Sequence, residues 1–131
     1  MQESFWMQKL KALTRVEMRQ LARSCHYRAE VLALTLGISR RQLHRYTRQV
    51  FQMSPQQWLE IERLTRAAHE LNGNTPIKQV SSALGFKQLS HFSREFRRLH
   101  GISPSEYKSH QGSARKIDLI VRSRNSHGQN R

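Results

Sequence analysis

Val80-Ser81-Ser82-Ala83-Leu84-Gly85-Phe86-Lys87-Gln88-Leu89-Ser90-His91-Phe92-Ser93-Arg94-Glu95-Phe96 is the stretch on which the fold turns. Val80 and Leu84 lie on one face of a short helix, and Gly85 stops it because glycine enters the left-handed conformation without steric penalty. A second helix follows, with Phe92, Phe96 and Leu99 expected inside and Arg94, Arg97 and Arg98 outside. Gly101 ends that helix, and Ser103-Pro104 opens a last short one through Tyr107. The same punctuation occurs earlier: Leu32-Ala33, then Gly37-Ile38-Ser39, a basic helical stretch, Ser54-Pro55 and Trp58. Short helix, tight turn, exposed basic helix and stop is the layout of a helix-turn-helix, whose second helix enters a DNA major groove. Two copies imply one molecule reading two grooves.

The rest of the chain reads outward from these copies. Thr14-Arg15-Val16-Glu17 has the pattern of a capping box, in which hydroxyl and carboxylate satisfy each other's backbone amides. Val16, Leu21 and Ala22 are the inner stripe expected of the helix that follows, and residues 1–13 add a turn or two held by Phe5 and Trp6. Ala29 to Leu36 is a helix stopped by Gly37. Ser39 caps the next, whose buried stripe is Leu43, Tyr46, Val50 and Phe51. Pro55 to about Leu71 is a long helix with Trp58, Ile61, Leu64, Ala67, Ala68 and Leu71 in step, ended by Asn72-Gly73-Asn74. Thr75-Pro76 opens the following helix in the manner of Ser54-Pro55. No period-two pattern appears. The expected fold is all-α, with two helix-turn-helix subdomains joined by a long central helix. Its segments are an N-terminal helical segment 1–28, a first unit 29–54, a linker helix 55–73, a second unit 74–110 and a basic, disordered tail 111–131. That tail holds one apolar island, Ile117, Leu119, Ile120 and Val121.

Composition restricts the partners. Among 131 residues there are 23 Lys and Arg against 9 Asp and Glu, a formal net charge of +14. Such a charge points to nucleic acid, an anionic membrane or an acidic protein. No apolar run is long enough to span a bilayer, and Lys9 and Lys11 break the short apolar start before it reads as a signal peptide. A cytoplasmic protein is expected. Cys25 is the single cysteine, which excludes an internal disulfide and a multi-cysteine zinc site. No paired carboxylates, Gly-rich phosphate loop or metal-ligand spacing occurs, and the seven histidines are scattered. Neither an enzyme nor a cofactor or metal is expected.

The stretch from about Ala29 to Tyr107 resembles the DNA-binding domain of AraC/XylS-type bacterial transcription activators. The likeness is carried by Ile77-x-x-Val80, Leu84-Gly85-Phe86, Ser90-x-Phe92-x-Arg94-x-Phe96 and Gly101-Ile102-Ser103-Pro104-x-x-Tyr107, with Arg63-Leu64-x-x-Ala67 matching the linker helix. The resemblance implies about seven helices of homeodomain-like type, binding to double-stranded DNA as a monomer or through a separate dimer module, and recruitment of RNA polymerase. The length is similar to that of the stand-alone members that lack an effector domain. The alternative is the DNA-binding fragment of a longer regulator with a separate sensor domain. There are departures: Ser81 stands for the usual Ala, Lys87 for a small cap, Gln52 for Gly, Arg28 for a cap, and Leu89 occupies a site often polar.

The resemblance places Arg41, His44 and Arg45 at base-reading positions of the first unit, and Gln88, Leu89, Ser93 and Arg94 at those of the second. Arg pairs in bidentate fashion with guanine, Gln suits adenine and Leu suits a thymine methyl. Arg40, Arg48, Lys78, Arg98 and Lys108 are assigned to phosphates, which position the protein without carrying sequence. The long helix is expected to set the phase of the two recognition helices. Adjacent major-groove faces lie about 34 Å apart, and a monomer that cannot meet that spacing must bend its site. A charge-driven nucleoid or RNA-binding protein is the remaining alternative. It accounts for the net charge but not for the duplicated turns.

Overall fold

The computed structural model describes residues 3–110. Their regular structure is entirely helical: α1 (Phe5–Lys11), α2 (Arg15–Ser24), α3 (Ala29–Leu36), α4 (Arg40–Phe51), α5 (Pro55–Leu71), α6 (Ile77–Ala83), α7 (Leu89–His100) and α8 (Pro104–Ser109). Eight helices stand where about seven were expected, α1 having formed a helix of its own. The tail 111–131 and its apolar island lie outside the described residues. No helix among the described residues is long and apolar enough to cross a membrane. Two compact units divide within α5, between Arg66 and Ala67.

In the first unit the core is Met7 and Leu10 of α1, Met18 and Ala22 of α2, Leu32 and Ala33 of α3, Leu43 and Tyr46 of α4, and Trp58 and Leu59 of α5. The inner stripe of α2 differs from the expected one. Val16 is 58% exposed, because Met18, Ala22 and Cys25 set the buried phase and Val16 lies about 200° from Met18 around the helix. Phe5 is likewise exposed, and α1 is anchored by Met7 and Leu10, with Trp6 partly buried beside them. Ile61 lies at the exposed edge of α5, whereas Leu59 is buried. Phe51 stacks on Trp58 at 4.8 Å with the rings nearly parallel, and meets Tyr46 edge-on at 5.9 Å. Cys25 closes α2 as its C-cap. Its buried thiol lies 3.5 Å from Thr35 Oγ1.

Helix ends follow local chemistry. Thr14 accepts from the Glu17 amide while Glu17 accepts from the Thr14 amide. The same reciprocal pair forms at Ser39 with Gln42, Ser54 with Gln57 and Ser103 with Glu106. Each cap stabilises its helix by about 1 kcal/mol. Gly37 closes α3 at φ 70°, and the Ile38 amide donates back to the Ala33 carbonyl.

The second unit is built on aromatic rings. Phe92 and Phe96 are fully buried on α7, with Phe86 5.0 Å from Phe92 and Tyr107 5.6 Å from Phe96. Ala68 and Leu71 of α5 and Val80 of α6 are buried in the same unit. Leu99 is 40% exposed, because His100, 4.3 Å from the Phe96 ring, occupies the inner position at that end of α7. Pro76 is the N-cap of α6 and Ile77 its first helical residue, so this helix starts one residue later than the Ser54-Pro55 pattern suggests. Lys108 Nζ donates to the Thr75 carbonyl at 2.6 Å, tying α8 to the start of α6.

Candidate nucleic-acid interface

The first recognition helix is α4. The Ser39–Gln42 box fixes its start at Arg40, and Leu43, Tyr46 and Thr47 are turned into the core. The hydroxyl of buried Thr47 donates to the His44 carbonyl, so it enters the core satisfied. Arg41, His44, Arg45 and Arg48 fall at i, i+3, i+4 and i+7, the spacing of one helix face, and all four are exposed. Arg40 is exposed one residue earlier. Arg40, Arg41, His44 and Arg45 line one groove of about 430 Å³, together with Ala29, Leu43, Pro55 and Gln56. Thus all three base-reading candidates of this unit share a surface with a phosphate candidate. Among the described residues, Arg41 and Arg48 have no carboxylate within ion-pair distance.

Arg45 has a neighbour that no motif announces. Its guanidinium carbon lies 5.6 Å from the centroid of the Trp6 ring, over the indole of α1. Nothing in the spacing links Trp6 to α4. The contact exists because Met7 and Leu10 seat α1 in the same core as Leu43 and Tyr46.

The second recognition helix is α7, and it is chemically unlike α4. Gln88 is its N-cap, with extended backbone and no side-chain cap hydrogen bond, so Lys87 lies one residue outside the helix. Leu89 is the first helical residue and is exposed; Ser93 is half-buried and Arg94 exposed. Glu95, absent from the sequence-level site, stands between Arg94 at 3.8 Å and Arg98 at 3.5 Å. Both arginines are more than two-thirds exposed, so these are weak, screened pairs. Arg–Glu at i and i+1 or i+3 is readable in a sequence, but the charge count alone hides it. Lys78 is exposed on α6, and Lys108 is half-buried on α8 with its ammonium on the Thr75 carbonyl.

Carboxylates that cap helices are shifted by the caps. Hydrogen bonds from Thr14 hold the Glu17 carboxyl below its usual range, and Ser103 does the same to Glu106. Burial pushes the Tyr46 and Tyr27 hydroxyls up. Among the described residues, no three His, Cys, Asp or Glu side chains gather where a metal ion would be held.

Residues 32–110 match the family model described as a helix-turn-helix domain. The HTH-type transcriptional activator RhaS of Escherichia fergusonii is 35% identical over 80 residues, covering 60% of this chain and 29% of RhaS. The HTH-type transcriptional regulator GbdR of Pseudomonas aeruginosa is 32% identical over 90 residues, covering 68% of this chain and 24% of GbdR. The chain therefore spans 24–29% of the length of these curated relatives. Among solved structures, an AraC-type DNA-binding-domain regulator from Chromobacterium violaceum superposes with a TM-score of 0.63 at 29% identity, covering 70% of this chain and 89% of that one. The DNA-binding domain of the global transcriptional factor AdpA, in complex with a target DNA, gives a TM-score of 0.66 at 25% identity, covering 86% and 98%. By its paired helix-turn-helix units and these likenesses, the chain belongs to the AraC/XylS-type family of helix-turn-helix DNA-binding regulators.

Proposed function

We propose that this chain is a sequence-specific binder of double-stranded DNA that regulates transcription, acting as an activator. In this reading α4 and α7 enter adjacent major grooves. Arg41, His44 and Arg45 read bases in one, and Gln88, Leu89, Ser93 and Arg94 in the other. Arg40, Arg48, Lys78, Arg98 and Lys108 hold phosphates. The protein binds as a monomer in the bacterial cytoplasm, at the nucleoid when bound, and recruits RNA polymerase.

The observation that carries the reading is the division of α4: Leu43, Tyr46 and Thr47 buried, and Arg40, Arg41, His44, Arg45 and Arg48 exposed. A helix anchored along one stripe and cationic along the opposite one suits the major groove, where arginine pairs with guanine. AdpA's domain being described with a target DNA, and RhaS being an activator, support the assignment.

Selection of bound sequences from a random duplex pool tests it. The expected result is a defined motif with a footprint spanning two major grooves. Arg45→Ala is expected to relax one position of that motif, at a cost of about 1–3 kcal/mol in discrimination. A pool that returns no motif would replace this reading with charge-driven binding.

A further inference from the structure

We infer that Trp6 is a positioning residue for sequence recognition: α1 presets the guanidinium of Arg45 for the base it reads. This rests on the assignment of Arg45 as a base reader. Trp6 is partly buried and fixed by its neighbours Met7 and Leu10, which are core residues of the first unit. Its ring therefore forms a stationary platform. Arg45 is exposed on α4, with its guanidinium carbon 5.6 Å from that ring. It has no ion-pair partner among the described residues to compete for it.

An arginine on a surface helix ordinarily samples many rotamers, and ordering it on binding costs affinity. An indole face attracts the cation through its quadrupole without using any of the in-plane N–H donors. Those donors stay available for the paired acceptors on a guanine edge. A carboxylate in the same place would occupy the donors and compete with the base. Trp6 thus restricts where Arg45 goes while leaving what it recognises intact. Among the described residues, Arg41, Arg40 and Arg48 have no such ring contact, which makes Arg45 the preorganised member of the set.

The test uses the full chain and the duplex selected for it, with each base pair of the motif varied in turn. Trp6→Ala, Trp6→Leu, Trp6→Phe, Arg45→Ala and the Trp6→Ala/Arg45→Ala pair are compared. Trp6→Ala is expected to lower affinity for the selected duplex roughly threefold to tenfold. It should relax preference at the same base position that Arg45→Ala relaxes, with affinity for unrelated duplexes unchanged. Trp6→Phe keeps most of the preference, and Trp6→Leu, which keeps apolar bulk without a π face, does not. The double variant loses no more than Arg45→Ala alone.

A uniform loss on every duplex, full rescue by Leu, or additive losses in the double variant would each overturn the role. If Arg45→Ala relaxes one position and Trp6→Ala does not, positioning falls and base reading stands. If Arg45→Ala leaves the motif unchanged, base reading falls and positioning with it.

Discussion

Gln52 ends α4 with φ 59° and ψ 33°, a left-handed conformation that Gly37 adopts at the end of α3 and Gly101 at the end of α7. A side chain there crowds the backbone by roughly 1–2 kcal/mol. The Gln52 side-chain Nε2 recovers part of this by donating to the Gln49 carbonyl at 3.2 Å. His26 and Tyr27 hold the same backbone region consecutively, at φ 53° and 58°, in the turn between α2 and α3. Gln52→Gly is therefore expected to stabilise the protein by about 0.5–1 kcal/mol, the relief of strain exceeding the added freedom of the unfolded chain. Urea unfolding checks this: the midpoint should rise with an unchanged slope. A lower midpoint would mean that the side-chain hydrogen bond outweighs the strain.

Four of the helices, α2, α4, α5 and α8, begin in reciprocal boxes, two closed by Glu and two by Gln. That difference has a pH signature. Glu17 and Glu106 titrate below their ordinary value of 4.5 in the folded protein, since the hydroxyls and amides of Thr14 and Ser103 favour the charged form. A depressed carboxyl stabilises the fold above the unfolded value and loses that contribution as pH falls through the folded one. Melting temperature should accordingly drop below about pH 4.5. Glu17→Gln with Glu106→Gln should flatten the drop while keeping both boxes, as Gln42 and Gln57 already do. An unchanged acid limb in the double variant would assign the loss to other groups. These boxes are only partly legible in the sequence: Thr14-x-x-Glu17 carries the pattern openly, while Ser39 reads as a simple cap and Ser54-Pro55 as a helix restart, with Gln42 and Gln57 unremarked. Helix order and the stops at Gly37, Gly85 and Gly101 follow from local chemistry and were readable. Of the expected inner residues that prove exposed, Val16 and Leu99 lie at helix ends, where one turn of period does not fix the phase, while Ile61 lies mid-helix at the edge of the α5 stripe. At the interface, the exposed cations of α4 were legible from periodicity. The Trp6 contact was not, because it depends on how α1 seats in the core.

Across the whole chain, charge should govern affinity more than any single base contact. If the five cations proposed for phosphates all make their contacts, about 0.9 counterions each give a slope of log K against log salt near −4.5. Lys108 already donates to Thr75, and withdrawing it from the set gives about −3.6 by the same rule. Lys78→Ala should shallow the slope by about 1 and weaken all duplexes alike. A Lys78→Ala protein with altered sequence preference would move that residue from the phosphates to the bases. Cys25 makes the first unit convenient to follow. As the sole thiol of the chain, 2% accessible in the folded state, it is shielded from alkylating and disulfide reagents until its surroundings open. The unmodified protein thus carries its own clock for local opening, and labelling rates with and without bound duplex would time how far DNA slows that breathing.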